Sequence, residues 1–569
     1  MKRIPGLVGR VGVGAPDVSL TPVSGVVAVA ELVGRLGVAG ALDDAVGSIK
    51  QRDRGLSAGQ FLVAVAQAQM CGAQFWIGLD RRRADTAGEA LSAVATPAST
   101  TAVQLADRFG PAEVAGVEEG IAEIVGRVVG LLPARRRAVL RTGGATIDLD
   151  GTDVECYGAK KEGIAYSYKG ARAGRPHVAT WAEAGVVTAA DLLAGDEDPR
   201  PGAGSLIGRC VDTLRAAGVT VRPKVRGDVG YFARDIAAAA VDNGCDFSLG
   251  VTRNPAVWRA ATAIPDTAWR NAKRMKGAQV AVCDYAPAGW PPGTVCVVRR
   301  VKVRATDIST DPRARRRRTI PKDQLTLALD GLVEHVYAYS FIATNLDVST
   351  PAKTVAAEAW HRMRTDIEDR IRDAKHGAAL RHLPSGTRAA NTLWMWGALL
   401  AVNLSAWLQE LAGLDRGDGR GRAHLGTLRH RLLTVPARLI RHAGQVTLRL
   451  PPRPPTAGPR PGPTPPPAHL DLTHPAGPAP TQPMETSGPG ATGPPLCPRS
   501  NHHTIHRLSA MCSDHASAIH GSGSEHRVRR RANTDNLTQC RLAPPPVRLR
   551  PRWLRPVPPD WGRCDHQAA

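Results

Sequence analysis

The segment from 145 to 251 constrains this chain most, because its apolar residues change period in the way a sheet layered with helices requires. Ala145-Thr146-Ile147-Asp148-Leu149-Asp150 alternates with period two. That alternation puts Ile147 and Leu149 on one face of a strand and Asp148 and Asp150 on the other. Two further strands, 177–181 and 186–193, surround a turn at Glu183-Ala184-Gly185. A helix over about 204–217 leads into a strand at 221–226 that ends at Gly227-Asp228, and a helix over 232–242 feeds a strand at 246–251. Strand, hairpin, helix, strand, helix, strand is an α/β pattern.

The flanks differ. Residues 20–135 read as helical, with apolar residues at helical spacing in Val26-Val27-Val29-Leu32-Val33-Leu36, and breaks at Gly55, 96–99 and Gly110-Pro111. Ser99-Thr100-Thr101 is placed to cap a helix over 103–109. Residues 252–345 alternate short strand-like runs with basic loops such as 313–318 and read as a β-rich insertion. The chain turns helical again from 351 to about 411. Within it, 392–408 carries no charge; it is short for a membrane span and holds Asn403 and Ser405, so a buried helix is expected. Beyond about 450, 25 of the 45 prolines and nine of the 17 histidines accumulate without one lysine. Such a composition cannot bury a core, and a disordered tail is expected. The organisation is therefore a helical region over 1–140, the first part of an α/β core over 141–251, the insertion over 252–345, a helical remainder of the core over 346–450, and the tail over 451–569.

A net charge of +23 and a pI near 10.2 call for a polyanionic partner, nucleic acid before an anionic membrane surface. Arg outnumbers Lys 62 to 12, which GC-rich coding DNA also produces. The start, Met1-Lys2-Arg3-Ile4-Pro5-Gly6, lacks the apolar stretch of a secretory signal, and the 10 cysteines show no CxxC spacing. Neither a zinc site nor a disulfide framework is indicated, and a reducing cytoplasm is expected.

Three carboxylates stand out by context. Asp150 ends a strand and precedes Gly151-Thr152; Asp228 ends another, in Arg226-Gly227-Asp228-Val229-Gly230-Tyr231-Phe232. Glu368 lies in a helix with His361, Arg364 and Lys375 at helical spacings. At about 100° per residue these four share a sector of roughly 60 to 100°, with Ile367 and Ile371 at its border to dock the helix on a sheet. A carboxylate among cations suits a magnesium ion together with phosphate oxygens. Alone, the same face also reads as solvated, with an ordinary Arg364–Glu368 pair. Asp148 is the alternative to Asp150 on that strand face, or else its structural partner. Asp153 and Glu155 read as a solvated loop, His177 as a packed strand residue, and Trp258, Trp269 and Trp290 as packing rather than base-stacking residues.

Taken in order, these motifs resemble the DDE transposases of bacterial insertion sequences, in the subgroup marked by Tyr-x2-Arg-x3-Glu-x6-Lys. The match is His361-x2-Arg364-x3-Glu368-x6-Lys375, with His361 in place of the Tyr. Asp150-Gly151-Thr152 and the Arg226–Phe232 phrase resemble the first and second catalytic Asp motifs, and 341–346, ending in Thr344-Asn345-Leu346, resembles the strand before the signature helix. The resemblance spans roughly 20–450. It implies a ribonuclease-H-like catalytic core in which Asp150, Asp228 and Glu368 hold Mg²⁺ (or Mn²⁺) for two-metal phosphoryl transfer. It also implies that His361, Arg364 and Lys375 contact DNA. The implied partners are double-stranded DNA, both terminal inverted repeats and target, and a second copy of the chain in a synaptic dimer at the bacterial nucleoid, with no membrane. A decayed copy that binds DNA without cutting it, and a nuclease without strand transfer, are the alternative readings.

Overall fold

A computed structural model describes residues 14–52, 54–158, 160–414 and 421–452. The expected disordered tail, apart from Pro451 and Pro452, lies outside the described residues.

The chain opens on a two-residue strand, β1 (Leu20–Thr21), and then forms a helical layer: α1 (Val26–Leu36), α2 (Val38–Val46), α3 (Ala58–Met70), α4 (Ile77–Ala84), α5 (Thr86–Glu89), α6 (Ser99–Ala106), α7 (Pro111–Leu131) and α8 (Ala134–Thr142). Helix α3 begins at a capping box formed by Ser57 and Gln60, and almost every one of its residues is buried. The serine-threonine cluster at 99–101 starts α6 and does not cap a later helix. Its N-cap is Ala98, and Asp80 takes the Ser99 N–H (2.8 Å) and hydroxyl (2.6 Å).

The α/β part follows as β2 (Thr146–Gly151), β3 (Val154–Glu155), β4 (Ala165–Tyr166), β5 (Arg172–Trp181), β6 (Val186–Ala194), α9 (Arg200–Ala216), β7 (Lys224–Gly227), α10 (Arg234–Asp242) and β8 (Asp246–Gly250). Strand β5 pairs antiparallel with both β2 and β6, while β2, β7 and β8 run parallel. Asp148 and Arg226 therefore stand opposite one another on β2 and β7. Residues 252–345 contribute α11 (Pro255–Thr262), β9 (Arg270–Asn271), β10 (Ala278–Cys283), β11 (Val295–Arg304), α12 (Lys322–Leu329) and β12 (His335–Thr344). These strands extend the same sheet: β12 pairs with β8, and β11, β10 and β9 follow antiparallel. Their core holds Trp269 beside Tyr339 and Phe341, with Trp258 edge-on to both rings, as packing residues should be.

The expected long helix after 351 is broken into α13 (Pro351–Arg362), α14 (Thr365–Arg372), a π-turn at Asp373–Gly377, and α15 (Arg388–Leu411). The break after α13 has a local cause. The Trp360 carbonyl, which an unbroken helix would bond to the Arg364 N–H, accepts instead from the Arg226 guanidinium and the Met363 N–H. Helix α15 contains the uncharged stretch and is buried on every side. Asn403 in it bonds both the N–H (2.9 Å) and the carbonyl (2.8 Å) of Val187, satisfying backbone that edge strand β6 would leave unpaired. Among the described residues no helix is long and apolar enough to cross a membrane.

The end of the described chain was expected to be helical and is not wholly so. After α16 (Leu425–Leu428) come β13 (Ala437–His442) and β14 (Gln445–Arg449), which form a three-stranded sheet with β1.

Candidate active site

Three chain segments meet at the end of the parallel strands. Asp150 lies on β2, where its Oδ1 accepts the Gly151 N–H at 2.9 Å. Asp228 follows β7 and caps a short turn, accepting the Gly230 N–H at 2.8 Å. Glycines make this turn possible. A Cβ on Gly227 would lie 2.9 Å from that of Tyr231, and one on Gly250 would lie 2.8 Å from the Val229 nitrogen. Glu368 projects from α14, which packs on β2 through the fully buried Ile367, with Ile371 against the same core, as their spacing predicts.

Arg364 stands between the carboxylates, its Nη1 3.7 Å from Asp150 and its Nη2 3.3 Å from Glu368. Asp150 is largely buried, and burial pushes its carboxyl up to about 6; Arg364 opposes that shift, while the negative charges of Asp228 and Glu368 add to it. Tyr231, buried and stacked on His177 at 5.7 Å, lies near both Asp150 and Asp228, and burial and those two charges raise its hydroxyl well above the usual value. His177 is packed as expected, its imidazole driven by burial down to about 4 and therefore neutral.

The remaining signature residues do not share one straight face, because the helix bends between them. His361 at the end of α13 bonds the Ser248 hydroxyl through Nδ1 (2.8 Å), and burial, with Arg364 and Arg226 nearby, lowers it to about 3. It is an uncharged ring at neutral pH. Lys375 sits in the π-turn and donates to the Thr152 hydroxyl (3.1 Å) and the Asp153 carbonyl (2.9 Å), bracing the loop that follows Asp150. Asp153 is not solvated as expected. It is largely buried and pairs with Arg175 (2.9 Å) and Lys169 (3.4 Å).

Asp148 is the structural partner and not a second copy of Asp150. Its fully buried carboxylate takes a bidentate pair from Arg226, at 2.6 and 2.7 Å. The same guanidinium bonds the Trp360 carbonyl and lies 4.9 Å from the centre of that ring, whose Nε1 reaches Thr146 at 3.2 Å. Arg226 thus ties β2 and β7 to the end of α13. Sequence reasoning passed it over; the available signal was an arginine on a strand otherwise destined for burial.

A cavity of about 270 Å³ opens beside Asp228 and Glu368. Its lining is otherwise rich in arginine, with Arg253, Arg299, Arg315 and Arg362. Glu358 neutralises part of it, holding Arg299 at 2.6 Å and Arg362 at 3.1 Å. Arg253 is left crowded. Burial, then Arg315 and Arg318, lower its affinity for a proton. Surplus cations lining a cavity together with carboxylates suit an anionic chain that must be brought to a metal.

Among the described residues, no three His, Cys, Asp or Glu side chains are close enough to hold a metal ion as they stand. The donor set nevertheless fits a hard cation. Asp150, Asp228 and Glu368 offer only oxygen, and their mutual repulsion is relieved by a guanidinium that makes no hydrogen bond to Asp150.

No curated protein matches the chain. Among solved structures it is similar to the piggyBac transposase synaptic complex with hairpin DNA, at 10% identity and a TM-score of 0.37, with 70% of this chain and 78% of that one covered. That superposition is too loose to assign a role to any residue. Residues 19–458, more than half of the chain, match the family described as transposase DDE domain group 1. The chain belongs to the DDE-domain transposase family.

Proposed function

We propose that this protein cleaves DNA at the ends of an insertion sequence and joins them to target DNA, using Asp150, Asp228 and Glu368 as the carboxylates of a ribonuclease-H-like centre. The observation that supports this reading is Arg364 set between Asp150 and Glu368 beside an arginine-rich cavity that Asp228 and Glu368 line, in a chain of the DDE family. DDE transposases use divalent metal ions; Mg²⁺ or Mn²⁺ held by these oxygens would activate the attacking hydroxyl and stabilise the leaving oxygen. Arg364 would hand its place between Asp150 and Glu368 to the ion and turn to a phosphate oxygen, with Lys375 holding the Asp150 loop in place and His361 serving as a neutral contact. The substrates are the terminal inverted repeats and a target duplex, the helical layer over 1–140 binds the repeats, and two copies act together in a synaptic complex at the nucleoid. The test is nicking of a duplex carrying the element's own ends. Cutting should require Mg²⁺ or Mn²⁺ and stop with EDTA, and Asp228→Asn should lose nicking while keeping DNA retention in a gel shift. Full nicking by the Asn variant would rule out this site.

The cost of holding Asp150 ionised makes a second expected result. The folded carboxyl keeps its proton up to about 6, whereas the unfolded one releases it near 3.8. The resulting penalty is absent in acid, grows between those values and is complete at neutral pH, on the order of 3 kcal/mol. Asp150→Asn should therefore raise the melting temperature of the metal-free protein at pH 7.5 by roughly 2–4 °C, with the gain vanishing by about pH 4. Millimolar Mg²⁺ should raise the melting temperature of the wild type but not that of the variant. A wild type indifferent to Mg²⁺ would favour the decayed copy, in which Arg364 keeps the ion's place permanently.

A further inference from the structure

The loop between Asp150 and β5 carries side chains that none of these roles uses. Tyr157, Tyr166 and Tyr168 are 94, 67 and 83% exposed, whereas Tyr231, Tyr285, Tyr337 and Tyr339 are buried or half-buried. The exposed rings alternate with cations. Lys169 Nζ lies 5.2 Å and Arg175 Cζ 5.8 Å from the centre of the Tyr168 ring, and Arg172 Cζ lies 5.8 Å from that of Tyr166. Lys160 on the same loop is exposed.

This surface is continuous with the catalytic centre. Strand β3 extends β2 along β5, and β4 pairs with β5 across from it. Lys169 pairs with Asp153, and the Asp153 carbonyl accepts from Lys375. Through Asp153, Lys375 and Lys169 connect the segment after Asp150 to the Tyr168 ring.

We propose that Tyr157, Tyr166 and Tyr168 form a stacking platform for unpaired bases of the DNA strand next to the cleaved bond, with Lys160 and Lys169 holding its phosphates. Uncovered rings cost free energy in water unless a flat partner covers them, and cations beside the rings select a polyanion. Bases in a duplex present no free face, so the platform discriminates for single strands. This inference rests on the DNA-cutting reading and adds to it where the freed strand goes.

The test uses the full chain in EDTA, so that binding is read without cutting, with a fluorescent oligothymidylate and the duplex element end as separate probes. Tyr168→Ala should weaken oligothymidylate binding roughly tenfold, and Ala at 157, 166 and 168 together should weaken it more. Phe at the same three positions should keep most of the affinity, because the rings and not the hydroxyls are used. Duplex binding should change less than about twofold, and thermal unfolding should not change. Equal losses on both probes, no loss on oligothymidylate, or binding to phosphatidylserine vesicles in its place would each overturn the platform. A wild type that binds the duplex end while the triple Ala variant still holds oligothymidylate would overturn the platform alone. A wild type that binds neither probe would overturn the DNA-cutting reading as well.

Discussion

Glu368→Gln should lower the rate of strand cleavage about a thousandfold or more, roughly 4 kcal/mol of barrier, because an amide is a poor, neutral ligand for a hard cation. Asp366→Asn should cost less than about threefold. The two acids are on the same short helix, yet Asp366 faces a different cavity with Asp369, Arg370 and His424, whereas Glu368 faces the one shared with Asp228. Single-turnover nicking of an element-end duplex in Mg²⁺ reads both. Equal and small effects in a wild type that cuts DNA would remove Glu368 from the site.

Arg226→Met should be among the most damaging substitutions away from the carboxylates themselves. It keeps an unbranched apolar stem but strands Asp148, fully buried, without its bidentate partner. Breaking one half of such a pair costs roughly 3–5 kcal/mol, readable by urea unfolding. Burial already pushes the Asp148 carboxyl up to about 6 against the pull of Arg226. Without the arginine it holds its proton to still higher pH, so the deficit should shrink at pH 5 and widen at pH 7.5. Asp148→Asn added to Arg226→Met should recover part of the loss. Because the same guanidinium holds the end of α13, the single variant should also cut more slowly per bound DNA, with KM little changed. A stability loss under about 1 kcal/mol would show that the pair is not the staple between the strands and α13.

The strands carrying Asp150 and Asp228 were legible because each has a buried face, which forces alternation or an unbroken apolar run into the sequence. Ile367 announced α14 for the same reason. The bend between His361 and Glu368 was not legible, since it depends on a guanidinium from β7 competing for the Trp360 carbonyl. A contact between residues so distant in sequence leaves no periodic trace. Strands β13 and β14 escaped because they bury little: Arg441, His442 and most of β14 are exposed, so no face had to be apolar. Asp153 read as a loop carboxylate because its partners, Arg175 and Lys169, are brought to it by pairing along β5 and not by spacing. Tyr157 and Tyr168 lie outside regular elements and Tyr166 in a two-residue strand, too short for periodicity to measure.

The pairing of β1 with β13 bears on how the polypeptide is made. Leu20 and Thr21 find their partners only at Arg438 and Ala437, and Ser24 bonds the carbonyl of Val435 at 3.0 Å through its nitrogen and 2.7 Å through its hydroxyl. Helix α3 likewise waits for α15. While the ribosome is still reading the middle of the message, α2, α3 and α7 can pack on one another, but α3 lacks α15 and β1 lacks β13. The finished fold must close contacts across most of the described chain, which is slow. The two ends of the body are therefore joined late, only once β13 has left the ribosome.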